Sequence, residues 1–242
     1  MELKLKPHQI SAIRKMHNGC ILCGGTGSGK SITGLAYYFI QNGGKLNPMT
    51  KMKNPKDLYI ITTAKKRDSG EWIGDMSWFY LTPDDKSKIY DHKVVIDSWN
   101  NIKKYSNVQN SFFIFDEQRV VGYGAWTKAF LKIAKSNEWI LLSATPGDNY
   151  MDYMPVFIAN GFYKNKSEFT AEHCVYSRFS KFPQIERFIG TERLNRLRRK
   201  VLVDMPYEKP AVQNHEDVWC SFDKEAYKDL MKNRFDYEKG EP

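Results

Sequence analysis

Gly24, four further residues and then Gly29-Lys30-Ser31 bring a glycine-rich turn, a lysine and a hydroxyl together in one stretch, Cys20-Ile21-Leu22-Cys23-Gly24-Gly25-Thr26-Gly27-Ser28-Gly29-Lys30-Ser31. This spacing fits the phosphate-binding pattern G-x-x-x-x-G-K-[ST]. The chemistry needs these residue types. Glycines admit positive φ, so the backbone N–H groups of Gly25, Thr26, Gly27, Ser28 and Gly29 can turn inward around phosphate oxygens. A helix-compatible segment, Ser31 to Ile40, follows, and a helix N-terminus adds partial positive charge. Lys30 is then placed to reach the β- and γ-phosphates, and the Ser31 hydroxyl to ligate Mg²⁺. A glycine-rich hairpin or linker would lack the strand-like run before the loop and the helix-like run after it. The expectation is a nucleoside triphosphate site.

Asp116-Glu117, directly after Phe112-Phe113-Ile114-Phe115, is the second signal. An aspartate at the end of a buried strand can hold Mg²⁺ beside the phosphates. The adjacent glutamate can orient or deprotonate the attacking water. An isolated acidic pair is usually solvated surface. The apolar run before it and the phosphate loop upstream set this pair apart. Gln9, in a helix-like run opened by Pro7, is open to two readings. It is either a solvated helix residue or an amide whose paired donor and acceptor read an adenine edge.

These residues need a scaffold. The runs Ile21-Leu22, Leu58-Tyr59-Ile60-Ile61, Val94-Val95-Ile96, Phe112-Phe113-Ile114-Phe115 and Trp139-Ile140-Leu141-Leu142 are continuous rather than alternating. Such runs mark parallel strands buried on both faces. Ala125, Ala129, Phe130 and Ile133 recur at helical spacing between two of them. The pattern predicts an α/β fold with a mostly parallel sheet. Ligands gather beyond the carboxyl ends of such strands. The segments following each run are the phosphate loop, Thr62 to Arg67, Asp97-Ser98-Trp99, Asp116 to Arg119 and Ser143-Ala144-Thr145-Pro146.

At 242 residues the chain is long enough for one large or two small domains. Its net charge of +9 points to an anionic partner, nucleic acid above all. The start, Met1-Glu2-Leu3-Lys4-Leu5-Lys6, lacks the apolar core of a signal peptide, and no apolar run reaches about 18 residues. No membrane span is expected, and the chain is placed in the cytoplasm. Cys20, Cys23, Cys174 and Cys220 offer one close pair without a second to complete a zinc site, so the thiols read as core. Phe157, Phe162, Tyr163, Phe169, Phe179, Phe182 and Phe188 are interleaved with basic residues. They read as the core of a small helical insertion, with a nucleic-acid stacking surface as the alternative.

The order of segments resembles the first RecA-like lobe of a superfamily-two helicase or translocase. The matching pieces are Pro7-His8-Gln9, Gly24 to Ser31, Thr62 to Arg67, Asp97-Ser98-Trp99, Asp116 to Arg119 and Ser143 to Pro146. It is most similar to the Swi/Snf-type branch of DNA-dependent ATPases and to small bacteriophage-encoded relatives. Leu141-Leu142-Ser143-Ala144-Thr145-Pro146-Gly147-Asp148-Asn149 resembles that branch's LLTGTPIQN segment. Leu197-Arg198-Arg199-Lys200, with Met205-Pro206 and Lys209, resembles the LRR…LP.K stretch after its first lobe.

The resemblance implies a RecA-like P-loop domain over residues 1–150 and a helical, basic extension over 151–242 leading toward a second RecA-like lobe. It implies ATP and Mg²⁺ as cofactors. Gln9 would contact adenine, Lys30 the phosphates, Ser31 and Asp116 the Mg²⁺, and Glu117 would activate water. Arg119, Ser143 and Thr145 would couple nucleotide state to movement. Lys65, Lys66, Arg67 and Ser98 would touch the nucleic-acid backbone, with Arg198 and Arg199 adding phosphate contacts. The implied partners are DNA in preference to RNA, and a second lobe in the same longer chain or in a separate subunit. The implied activity is that of a helicase or translocase that hydrolyses ATP slowly without that lobe. The location is the cytoplasm, that of the bacterial host if the chain is phage-encoded. The alternatives are an ATP-gated nucleic-acid or protein binding module without motor activity, and an RNA-directed helicase lobe.

Overall fold

The computed structural model describes residues 3–83, 90–117, 122–207 and 221–233. The first elements are α1 (Pro7–Lys15), β1 (Ile21–Cys23), α2 (Lys30–Gln41) and a small hairpin of β2 (Lys45–Leu46) and β3 (Met49–Thr50). Then come β4 (Leu58–Thr62), α3 (Ala64–Asp68), α4 (Glu71–Ser77), β5 (Val94–Ser98) and a 3-10 helix (Trp99–Tyr105). They are followed by β6 (Phe112–Asp116), α5 (Ala125–Ala134), β7 (Glu138–Ser143), α6 (Tyr150–Ala159) and α7 (Lys166–His173). Last are β8 (Cys174–Tyr176), β9 (Ile185–Phe188), α8 (Thr191–Val201), β10 (Leu202–Asp204) and α9 (Lys224–Asn233).

All five apolar runs form strands of one sheet, in the order β10-β1-β7-β6-β4-β5. Every pairing in it is parallel. The pleat sends alternate side chains to opposite faces, and both faces are covered. Leu58, Ile60, Phe112, Ile114, Ile140 and Leu142 pack with Leu35 and Phe39 of α2 and Trp72 and Met76 of α4. Tyr59, Ile61, Phe113, Phe115, Trp139 and Leu141 pack with Phe130 of α5, Tyr153 and Phe157 of α6 and Leu194 of α8. Two buried faces explain why these strands read as unbroken apolar runs.

The sequence reading drew a domain boundary near Tyr150. The chain beyond it builds onto the same sheet instead, because α6 and α8 bury apolar side chains on the second face and β10 pairs with β1. The chain divides instead between Glu208 and Lys209. Of the unit from Lys209 onward, α9 is the described element, preceded by an edge-on contact of Phe222 with Tyr227.

The extension is also not purely helical, since β8 and β9 form an antiparallel hairpin. Its aromatics divide. Phe157, Tyr163 and Phe169 are core, whereas Phe179 and Phe182 stand 100% and 75% exposed near the hairpin tip beside Arg178 and Lys181. Cys20 is fully buried and its thiol is pushed up to about 11 by burial. No helix among the described residues is long and apolar enough to cross a membrane.

Candidate nucleotide site

With all strands parallel, their carboxyl ends share one edge. The register sets Cys23 beside Ser143, Asp116 beside Leu142, and Thr62 beside Ser98. The phosphate loop, the acidic pair and the Ser-Ala-Thr segment therefore converge there. A cleft of about 410 Å³ opens at this edge, lined by Thr26, Gly27, Gly29, Lys30, Ser31 and Glu117 together with Thr63, Lys65, Lys66, Glu71 and Asp75.

The loop is held from three sides. Gly24 N–H donates to the Ser143 carbonyl at 3.2 Å, joining the loop's first glycine to the Ser-Ala-Thr segment. Gly29 has φ of +83° at the N-cap of α2, and a Cβ there would lie 2.5 Å from Gln9 Nε2. Position 29 therefore favours glycine for its left-handed backbone, and a side chain there would displace the Gln9 amide. Lys30 Nζ donates to the carbonyls of Gly24 (2.7 Å) and Gly25 (3.1 Å), and burial lowers its pKa. Its ammonium thus lies inside the loop, close to where phosphate oxygens would bind. Ser28 is turned inward and buried, with no hydrogen-bond partner on its hydroxyl among the described residues.

Gln9 is 5% exposed, which corrects its reading as a solvated helix residue. Its Oε1 accepts from Lys6 N–H at 2.7 Å and its Nε2 donates to the Gly29 carbonyl at 3.4 Å. His8 adds a 3.1 Å contact to the Ser28 carbonyl. Both residues fasten α1 to the loop.

Asp116 is 1% exposed at the end of β6. Its Oδ2 accepts from Thr62 Oγ1 and lies 2.8 Å from Lys66 Nζ, while Oδ1 is buried without a partner among the described residues. Lys66 Nζ also donates to Ser31 Oγ at 3.2 Å. The Ser31 hydroxyl and the Asp116 carboxylate thus hold one cation between them, and an orphaned carboxylate oxygen lies alongside. A hard divalent cation takes such oxygen donors and keeps its remaining places for phosphate and water, so these residues fit Mg²⁺. Glu117 is exposed into the cleft with φ of +55°. A left-handed backbone at a non-glycine residue is strained by about 1–3 kcal/mol and persists where surrounding structure holds it. Here it turns Glu117 off the strand axis toward the loop.

Several segments behave differently from the expectation. Ser98 is buried, and its N–H donates to Asp97 Oδ1 at 2.7 Å. Arg67 is taken up by Asp68 at 2.7 Å and Asp97 at 3.4 Å. Lys66 is committed to Asp116 and Ser31. Of that group only Lys65 is exposed, and it lines the cleft. On α8, Arg199 is exposed while the Arg198 guanidinium lies 5.7 Å over the Tyr153 ring. Ser143 is buried and Thr145 exposed, linked by Thr145 N–H donating to Ser143 Oγ at 3.1 Å. Arg119 lies outside the described residues.

Residues to which the sequence reading gave no individual role lie beside the site. Asp97 collects Asn101, Tyr105, the Ser98 N–H and Arg67. Burial works against its charge, but these hydrogen bonds outweigh it and keep its carboxyl below the usual range. Trp99 Nε1 donates to the Asp116 carbonyl at 2.9 Å, tying this segment to the acidic strand. A second cationic cleft is lined by Lys103, Lys128 and Lys132, with Tyr123.

A six-stranded parallel sheet flanked by helices, with a phosphate loop after β1 and acids after β6, is a RecA-like α/β domain. No protein-family model and no curated protein sequence matches the chain. Among solved structures the fold is similar to the SWI2/SNF2 ATPase core of Sulfolobus solfataricus in complex with dsDNA. That match has a TM-score of 0.59 and 16% identity, over 85% of this chain and 45% of that one. It is also similar to the helicase domain of Hef from Pyrococcus furiosus, with a TM-score of 0.42 and 18% identity over 70% of this chain and 40% of that one. The chain spans less than half the length of either.

Proposed function

We propose that this chain is the ATP-binding lobe of a nucleic-acid-dependent ATPase of the helicase or translocase type, acting in the cytoplasm on DNA. The observation that carries the reading is the convergence of Lys30, Ser31, Asp116 and Glu117 at one sheet edge, with the Ser143 carbonyl hydrogen-bonded to the loop's first glycine. Bound Mg²⁺ would supply neutralisation of phosphate charge. The chain's own residues do the rest. Lys30 and the loop N–H groups bind and orient the phosphates, Asp116 and Ser31 hold the cation, and Glu117 accepts the proton of the attacking water. Ser143 and Thr145, anchored to the loop at one end and exposed at the other, would report its state to the nucleic-acid side. A fluorescent ADP analogue titrated into the chain with Mg²⁺ should bind saturably, and Lys30→Ala should abolish it. Equal binding by that variant would remove the phosphate loop from the reading.

Nucleic acid would contact Lys65, Arg199 and the exposed hairpin rings. Stacking of a base on an aromatic side chain is worth about 1–3 kcal/mol. One such stack lost is about 5- to 150-fold, so the double variant Phe179→Ala, Phe182→Ala should weaken single-strand binding by at least about 5-fold by fluorescence anisotropy, at unchanged salt dependence. Loss of salt dependence instead would point to phosphate contacts rather than stacking.

A further inference from the structure

Lys66 occupies the position that the nucleotide's metal would need. Its ammonium bridges Ser31 Oγ at 3.2 Å and Asp116 Oδ2 at 2.8 Å, the two oxygens that fit Mg²⁺. The placement is built rather than incidental. Thr63 caps α3 by accepting the Lys66 N–H at 3.2 Å, which fixes the lysine's backbone. The side chain then passes over the Trp72 ring at 5.3 Å and is largely covered, at 21% exposure. Asp116, at 1% exposure, needs a counter-charge, because an ionised carboxylate buried alone is strongly disfavoured.

We propose that Lys66 is a resident counter-ion of the metal position, which Mg·nucleotide must displace in order to bind. The proposal rests on reading the cleft as a Mg·nucleotide site. Mg²⁺ approaches its oxygen ligands to about 2.1 Å, so it and the ammonium cannot share these two oxygens. The displaced Lys66 keeps acceptors within reach, since Glu71 and Asp75 line the same cleft. Lys66 therefore does two things. It stabilises Asp116 in the nucleotide-free lobe, and it sets how strongly nucleotide affinity depends on the metal. Metal-free nucleotide leaves the ammonium in place and uses it as a nearby positive charge. Mg·nucleotide has to work against it.

The test compares a fluorescent ADP analogue in excess Mg²⁺ and in EDTA, for the unaltered chain and for Lys66→Met. The ratio of metal-free to Mg-bound Kd should rise about tenfold in the variant, within the ordinary range of coupling between sites. Mg²⁺ alone, without nucleotide, should raise the melting temperature of Lys66→Met and leave that of the unaltered chain nearly unchanged. An unchanged ratio and an unchanged Mg²⁺ response would overturn the proposal. A ratio that falls would also overturn it, by making Lys66 a helper of the Mg-bound phosphates. Should Lys66→Met fail to fold, Lys66→Arg keeps a charge on Asp116 and should hold the ratio at or below that of the unaltered chain; a ratio above it sinks the idea. If the unaltered chain binds no nucleotide in either condition, the reading of the cleft fails, while the melting response to Mg²⁺ alone still decides the fate of Lys66.

Discussion

Glu117→Gln is expected to lower ATP turnover by an assembly completed with a second lobe by about 10²- to 10⁴-fold, the usual contribution of a positioned general base, while Mg·ADP binding stays near its original strength. The substitution keeps the shape of the side chain and the left-handed backbone at position 117 (φ +55°), so the loop and Asp116 are undisturbed. Only the proton acceptor is lost. Single-turnover hydrolysis and an ADP titration on the same preparation separate the two effects. Parallel loss of binding would make Glu117 a structural or metal-holding residue. The variant also divides the functional classes. In a complete assembly a motor would lose movement, whereas a nucleotide-gated binding module would keep ATP-dependent docking.

A larger effect is expected from a second RecA-like lobe, in the same longer chain or as a separate subunit. The cations lining the cleft among the described residues are Lys30, Lys65 and Lys66, with no arginine among them. An arginine supplied to the transferring phosphoryl group contributes about 10³–10⁵ in rate in P-loop enzymes. The chain alone should therefore bind Mg·ATP yet turn it over slowly. Steady-state hydrolysis measured without nucleic acid, then with duplex DNA, single-stranded DNA and RNA, should stay near baseline throughout. Strong stimulation by any one of them would show the lobe to be sufficient and identify its track.

The sheet and the glycine-rich turn between β1 and α2 were legible in the sequence because their signals are local. Burial on both faces writes β4, β6 and β7 as unbroken apolar runs, and the loop's residue types are fixed by their own backbone geometry. What escaped depends on contacts between distant positions. β10 is three residues in a basic stretch, and becomes a strand only because β1 offers it a free edge. Lys66 stands in a Lys-Lys-Arg run that the resemblance assigned to nucleic-acid contact; its partners lie 35 and 50 positions away at Ser31 and Asp116. Ser98 and Gln9 look polar and available, and tertiary packing buries both. The covering of the second sheet face also continues past Tyr150, through Tyr153, Phe157 and Leu194.

The strand β10 has a mechanical consequence. Met205, directly after it, donates its N–H to the Cys23 carbonyl at 2.7 Å, and its side chain takes the Thr33 hydroxyl at 3.5 Å. Its carbonyl lies 3.2 Å from where a Cβ on Gly24 would stand. The exit of this body is thus bolted to the floor of the phosphate loop. Tension along the chain beyond Met205 would load that floor before most of the sheet. A pull from downstream and a phosphate from above would then act on the same few residues.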